Sequence, residues 1–348
     1  MDVVVLCGGV SSEREISLRS STKIAKALRG RGHHVILLDV FFGSSQLLSF
    51  EQEQDFEQAA DALREKSDLI SPERIAQTGL FGPHVLDLCR QADVVFIGLH
   101  GENGEDGKIQ AVFDLEGITY TGSDAQSSSI AMDKEKTKSI VSPHIRMPKG
   151  VVIHRKDAEG NTDPWSLLQG IKIPLVLKPN NGGSSLGVIL VMHEDQLEDA
   201  LWTCFHYDDT ILAEEYVEGR ELTQGVLDGV ALPPVEICPD EGSWYDYSNK
   251  YNGETRELCP APLQEDVLRQ MSESSVKFGD LLGLSVYYRI DYILDKNGQL
   301  FALEANSLPG MTNTSLVPQE AAAIGMNYPE LCEKIMELSL KARSQSDQ

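Results

Sequence analysis

Tyr288-Arg289-Ile290-Asp291-Tyr292-Ile293-Leu294, then Asp295-Lys296-Asn297-Gly298, then Leu300-Phe301-Ala302-Leu303-Glu304-Ala305-Asn306, is the stretch on which this chain turns. Two apolar runs separated by an Asn-Gly signal predict adjacent antiparallel strands. A carboxylate interrupts each run, Asp291 on the first and Glu304 on the second. An unpaired charge buried there is very costly. Asp291, Glu304 and Asn306 instead offer the hard oxygens that Mg²⁺ accepts when it also holds nucleotide phosphates. Arg289 stands two residues before Asp291, so on a strand both face the same way. Metal ligands beside a fixed cation point to phosphoryl transfer.

The 348 residues around this hairpin are enough for a large core and more than one domain. A hydrophobic share of 41% with 24% charged residues is ordinary for a globular cytoplasmic protein. The start, Met1-Asp2-Val3-Val4-Val5-Leu6, has no basic leader, and no apolar run is long enough to span a bilayer. Six cysteines at 7, 89, 204, 238, 259 and 332 show no close spacing and read as scattered reduced thiols. The net charge of −24 argues against nucleic-acid and anionic-membrane partners. A triphosphate here needs local cations and metal to hold it against that field.

Val3-Val4-Val5-Leu6-Cys7 reads as a buried strand ending at Gly8-Gly9. Ser11 to Glu15 then leads into a helical pattern from Ile16 to Leu28, whose N-terminus favours anionic groups. Further strands at 34–40 and 93–99 predict a parallel sheet over roughly the first 120 residues. Residues 44–82 are Gln- and Glu-rich with weak helical periodicity, and read as a solvated surface insertion. A second unit, 123–217, carries a helix at Lys134, strands at 174–178, 188–191 and 210–217, and a helix over 194–205. The remainder, 218–348, holds the hairpin and a last helix from about Tyr328 to Lys341.

Lys178-Pro179-Asn180-Asn181-Gly182-Gly183-Ser184-Ser185-Leu186-Gly187 joins two of these strands. Its amides and hydroxyls suit folding over phosphate oxygens, although a glycine-rich hairpin alone is more often a plain turn. It is no Walker A loop, because no Gly-Lys-Ser/Thr opens a helix. Glu214-Glu215-Tyr216-Val217 reads as an edge for an adenine ring, with backbone near Tyr216 and Val217 for the base and Glu221 for ribose hydroxyls. Taken alone, a solvated acidic strand end is the better reading of it. His100-Gly101 to Gly107 follows a buried strand, at the end where open α/β sheets place ligands. The loop Asp246 to Gly253 is aromatic, and by itself weak. After the hairpin, Gly310 and Ser315 offer a backbone N–H and a hydroxyl to a carboxylate or oxyanion.

In this order the motifs resemble D-alanine–D-alanine ligases of the ATP-grasp superfamily, over nearly the whole chain. The shared stretches are Gly8-Gly9 through Glu13-Arg14-Glu15, His100-Gly101 to Gly107, Met132-Asp133-Lys134 and Gly183-Ser184-Ser185-Leu186-Gly187, then Tyr245-Asp246-Tyr247 with Lys250-Tyr251, Arg289-Ile290-Asp291, and Glu304-Ala305-Asn306 to Ser315. The resemblance implies an α/β fold, an N-terminal Rossmann-like (preATP-grasp) domain at 1–122 and a two-lobed α+β ATP-grasp module at 123–217 and 218–348. It implies ATP between the two lobes, with Lys134 and Lys178 on its phosphates and Glu214 and Glu221 at its adenosine end. Lys250, Ser184 and Ser185 would lie by the phosphates. Asp291, Glu304 and Asn306 would hold two Mg²⁺, or Mn²⁺. Glu13, linked through Ser184 to Tyr251, would take the ammonium of a first D-alanine, with His100 nearby. Arg289 and Gly310 would stabilise an oxyanion, and Ser315 would take the carboxylate of a second D-alanine. A cytoplasmic homodimer serving peptidoglycan synthesis is what the family implies.

Ligases that make D-alanyl–D-lactate or D-alanyl–D-serine are the nearest rivals, and Tyr251 argues against the lactate branch. A catalytically silent ATP binder is disfavoured, since Arg289, the three metal ligands and Glu13 occur together. A nicotinamide dehydrogenase fits only the first 40 residues or so, and no G-x-G-x-x-G follows the first strand.

Overall fold

The computed structural model describes residues 1–183, 185–238 and 256–346. The readings at Ser184, Lys250 and Tyr251, and the loop Asp246 to Gly253, lie outside the described residues.

Strands β1 (Asp2–Cys7), β2 (His34–Asp39) and β3 (Val94–Ile97) form a parallel sheet in the order β2-β1-β3. All three are almost continuously apolar and buried, as a sheet covered on both faces requires. Helix α1 (Arg14–Gly30) covers one face with Leu18, Ile24 and Leu28. Helices α4 (Val85–Gln91) and α5 (Lys108–Glu116) add Leu88, Ile109 and Phe113 to the same core.

Residues 44–82 depart from the expected solvated insertion. Helix α2 (Phe56–Arg64), capped by the Asp55 carboxylate, buries Phe56 and Ala60 and packs Ala59 and Leu63 on the first core. Those four positions follow i, i+3, i+4, i+7 spacing, a helical stripe that flanking Gln and Glu obscure in composition. Helix α3 (Pro72–Thr78) and the single turn at Ser67–Leu69 bury nothing.

The second sheet is antiparallel, in the order β4-β7-β5-β6, from β4 (Gly150–His154), β5 (Leu175–Pro179), β6 (Ile189–Val191) and β7 (Thr210–Glu215). The short α8 (Arg155–Ala158) and α9 (Leu197–Cys204) bury Ala158, Leu197, Leu201 and Cys204 beneath it. Helices α6 (Ala125–Met132) and α7 (Lys134–Val141) lead into this unit. The Asp133 carboxylate between them caps α7 at Lys136 N and accepts from Asn180 Nδ2 at 3.0 Å, tying the helix start to the end of β5.

The third sheet runs β11-β10-β8-β12-β13, with β9 (Val230–Ala231) paired to β8. Its strands are β8 (Gly219–Leu227), β10 (Val235–Cys238), β11 (Arg256–Leu258), β12 (Tyr287–Asp295) and β13 (Leu300–Asn306). β12 and β13 form the expected antiparallel hairpin. Helix α10 (Glu265–Leu282), which the sequence reading did not place, covers one face with Met271, Phe278 and Leu282. Its Gly279 is required, because a Cβ there would meet Tyr288 Oη at 2.0 Å. Helix α11 (Leu316–Ala323) packs on β8, and α12 (Tyr328–Ser346) returns to the first sheet. Leu331, Cys332, Ile335 and Met336 of α12 share the first core with α1.

Candidate active site

Burial along β12 alternates residue by residue. Tyr288, Ile290, Tyr292 and Leu294 turn to the core, while Arg289 and Asp291 turn the other way. Arg289 grips Asp291 with both arms, Nε to Oδ1 at 2.8 Å and Nη2 to Oδ2 at 2.9 Å. Thr223 on β8 donates to Asp291 Oδ1 at 2.7 Å. Glu304 stands directly across from Asp291, and Asn306 across from Arg289. Past that point the register slips from Asp291–Glu304 to Tyr292–Ala302, a bulge that kinks the hairpin beside its polar end.

Asp291, Glu304 and Asn306 thus stand on adjoining strands, two carboxylates and an amide oxygen. Among the described residues no group of three or more His, Cys, Asp or Glu is placed to hold a metal ion. A hard-oxygen set this small suits Mg²⁺ held partly by substrate phosphates rather than by a closed protein cage.

The opposing wall is cationic. Lys134 Nζ donates to Gly182 O at 2.7 Å and lies 3.9 Å from Glu304 Oε2. Burial pulls its ammonium below the ordinary lysine range, against the opposing pull of Glu304. At the end of β5, burial also works against the Lys178 charge, but Glu214 and Glu304 together hold that ammonium above its usual value.

Glu214, expected at the adenosine end, is engaged with two lysines. Its side chain is buried, and its oxygens accept from Lys138 Nζ at 2.5 Å and Lys178 Nζ at 2.8 Å. Burial alone would raise this carboxyl, but Lys178 and Lys138 hold it below the ordinary range. Glu214 therefore orients lysines. The backbone N–H of Tyr216, expected to be open to a base, donates to Pro174 O at 3.1 Å, which leaves the neighbouring groups of that edge, at Val217, for the role. Glu221 does line the cleft with Lys178.

A depressed carboxyl stabilises the fold above its unfolded pKa, and that contribution is lost as pH falls through the folded value. The Glu214 contribution should hold through neutral pH and disappear only below the ordinary carboxylate range. Glu214→Gln leaves two lysines buried without their counter-charge. A loss of about 3–5 kcal/mol is expected, read as a lower urea midpoint at neutral pH. A midpoint matching wild type would show that the three side chains are not coupled.

At the far end of the cleft Glu13 precedes α1 and is buried. Gly101 has φ +70°, and a Cβ on it would come within 2.8 Å of Glu13 Oε2, so only glycine lets the two loops approach. Ser11 Oγ ties the same loops by donating to His100 O at 2.7 Å. His100 is clamped between Ser20 Oγ, 3.1 Å from Nε2, and Glu105 Oε1, 3.4 Å from Nδ1. Opposite, Ser315 Oγ accepts from Thr312 N at 2.9 Å, and Gly310 lies against it.

Glu13, His100, Lys134, Arg289, Glu304, Asn306, Gly310 and Ser315 all line one cavity of about 180 Å³. A cavity of about 100 Å³, lined by Lys134, Lys178, Ser185, Glu221, Asp291 and Glu304, adjoins it through shared walls. Ser185 holds a left-handed backbone there, φ 57°, a strain typical of ligand-clamping turns. The sequence reading missed Lys138, Asn180, Glu105 and Thr223. Lys138 had a signal, since it follows Lys134 by one helical turn. Asn180 and Thr223 act through partners 47 and 68 residues away, whereas Glu105 lies only five residues from His100.

Residues 2–123 match the family model described as D-ala D-ala ligase N-terminus, and residues 143–337 the one described as D-ala D-ala ligase C-terminus. The D-alanine–D-alanine ligase of Pediococcus pentosaceus is 39% identical over 348 residues, covering 97% of either chain. That of Lacticaseibacillus casei is 38% identical over 98% of this chain and 96% of its own. Among solved structures, the D-alanine–D-alanine ligase from Bacillus anthracis complexed with ATP superposes with TM-score 0.75 at 27% identity over 99% of each chain. The VanG D-Ala:D-Ser ligase from Enterococcus faecalis gives 0.77 at 25% identity, over 97% of this chain and 99% of its own.

Proposed function

The chain belongs to the D-alanine–D-alanine ligase family, and from that premise we propose that it joins two D-alanines at the expense of ATP, through a D-alanyl phosphate. The observation that carries this reading is the single cleft in which Arg289, Asp291 and Glu304 face Lys134 and Lys178, with Glu13 and Ser315 at its far end. The product is the dipeptide of peptidoglycan precursors.

A carboxylate resists attack by an amine, so it is first phosphorylated. Glu13 holds the ammonium of the first D-alanine. Lys134 and Lys178 hold the triphosphate, and Glu221 the ribose. Asp291, Glu304 and Asn306 fit Mg²⁺ or Mn²⁺, which when bound neutralises charge on the transferring phosphoryl group. A carboxylate oxygen of D-alanine bonds to the γ-phosphorus and ADP departs. Ser315 receives the carboxylate of the second D-alanine, whose amine attacks the acyl carbon after shedding a proton. Arg289 and the Gly310 N–H stabilise the oxyanion, and inorganic phosphate leaves. Family likeness also brings Ser184, Lys250 and Tyr251, which lie outside the described residues, to this site, and excluding water there protects the intermediate from hydrolysis. No described helix is long and apolar enough to cross a membrane, and the enzyme is proposed to act in the cytoplasm as a homodimer.

Phosphate release from ATP with D-alanine alone, or with D-serine or D-lactate added, tests the assignment. Release should depend on D-alanine, with D-alanyl–D-alanine as the product. Dipeptide yield should rise between about pH 6 and 9, because the attacking amine must be neutral. Substantial D-alanyl–D-lactate at the acid end, or preferred incorporation of D-serine, would move the enzyme to another branch of the family.

A further inference from the structure

Glu320 has no part in the chemistry above, yet it is a carboxyl group buried directly behind it. It lies on α11, the helix that begins just after Ser315, and it is fully buried. Its Oε2 accepts the N–H of Gly225 at 2.6 Å, while Oε1 has no hydrogen-bond partner among the described residues. Gly225 sits on β8 directly across the ladder from Arg289. Residues paired in this way point to one side of the sheet. A Cβ on Gly225 would meet Glu320 Oε2 at 2.2 Å and Val317 Cγ2 at 3.2 Å. The carboxyl therefore presses on the sheet from the side on which the Arg289 guanidinium rises, through a gap that only the missing side chain of Gly225 leaves open.

We propose that Glu320 is a positioning residue for the second amino acid. It latches α11 to β8 at Gly225, and so fixes the spacing between Ser315 at the helix start and Arg289 on the neighbouring strand. Five residues of helix separate Ser315 from Glu320, a lever of about 7.5 Å. Burial, opposed by the Gly225 N–H and Arg289, pushes the Glu320 carboxyl well above the ordinary range. The latch itself is the hydrogen bond that Oε2 accepts from Gly225. The inference rests on Ser315 receiving the carboxylate of the second D-alanine.

Two changes at Glu320 and one at Gly225 test it, with separate KM values for ATP and for the first and second D-alanine. Glu320→Gln supplies the same acceptor at the same size and should keep all three KM values within about twofold. Glu320→Leu removes the acceptor and leaves the Gly225 N–H unpaired. It should raise KM for the second D-alanine about tenfold while KM for ATP moves less than about twofold. Gly225→Ala fills the gap from the other side and should give the same selective rise. If Glu320→Leu does not fold, Glu320→Gln and Gly225→Ala decide by the same criterion. A Gln variant as impaired as the Leu variant would overturn the latch in favour of a charge acting on Arg289. So would equal rises in all three KM values, the mark of general damage. A wild-type enzyme that makes no dipeptide overturns instead the function on which the latch rests, before any variant is compared.

Discussion

Glu304→Gln is expected to fold normally and to lose on the order of 10²–10³-fold in kcat. The side chain is 34% exposed, so the change buries no new polar group, and its volume is nearly constant. What it removes is one of the two carboxylates that face each other across the hairpin, beside Lys134. If that carboxylate holds a cation on the transferring phosphate, its loss falls mainly on the transition state, where charge is spread over the phosphoryl oxygens. Circular dichroism and a thermal melt establish folding, and steady-state phosphate release reads the loss. Near wild-type turnover from a folded Glu304→Gln protein would show that the metal lies elsewhere.

Arg289→Met should be comparably damaging, by a different route. The guanidinium is held flat by two bonds to Asp291 and borders both cavities, at the junction between phosphate and amino-acid ends. A single preorganised donor to an oxyanion contributes about 10²–10³-fold. Arg289→Lys should recover little, because one ammonium cannot both hold Asp291 bidentately and present a donor to substrate. Acyl phosphate formation, trapped with hydroxylamine, separates the two half-reactions. The trapped intermediate should survive better than the dipeptide, since the oxyanion forms only in the second step. Equal losses in both would assign Arg289 to the phosphoryl transfer.

The hairpin was legible because strand physics makes it so. A period of two puts Arg289 and Asp291 on one face whatever the rest of the chain does, and an Asn-Gly turn announces the hairpin, although the bulge that brings Glu304 opposite Asp291 leaves no such signal. Glu13, His100, Gly310 and Ser315 were legible as loop residues after buried strands, where a sheet presents ligands. The lysine partners of Glu214 were not legible, because its sequence neighbours are acidic while Lys138 and Lys178 arrive from a helix and from the strand alongside. A buried carboxylate is recognisable in sequence only if its counter-charges are, and these lie 76 and 36 residues away. Glu320 was invisible for the same reason, since its single bond is to a backbone N–H 95 residues earlier. The helix at 56–64 showed only as weak helical periodicity, and its burial was masked by the Gln and Glu around its four apolar positions.

The return of α12 to the first sheet governs the order in which the molecule can be completed. β1, α1, β2 and β3 leave the ribosome early, but the surface of α1 that Leu331, Ile335 and Met336 cover stays bare until the last helix is made. Domains usually close one after another as they are synthesised. Here the earliest sheet matures last. Its sealing contacts, Gly122 N to Ser339 Oγ at 3.2 Å and Arg343 Nε to Tyr120 O at 2.9 Å, each join the close of the first unit to the last helix. A ligase truncated before α12 would thus lose the wall that carries Glu13, although the metal hairpin and the lysines would all be present.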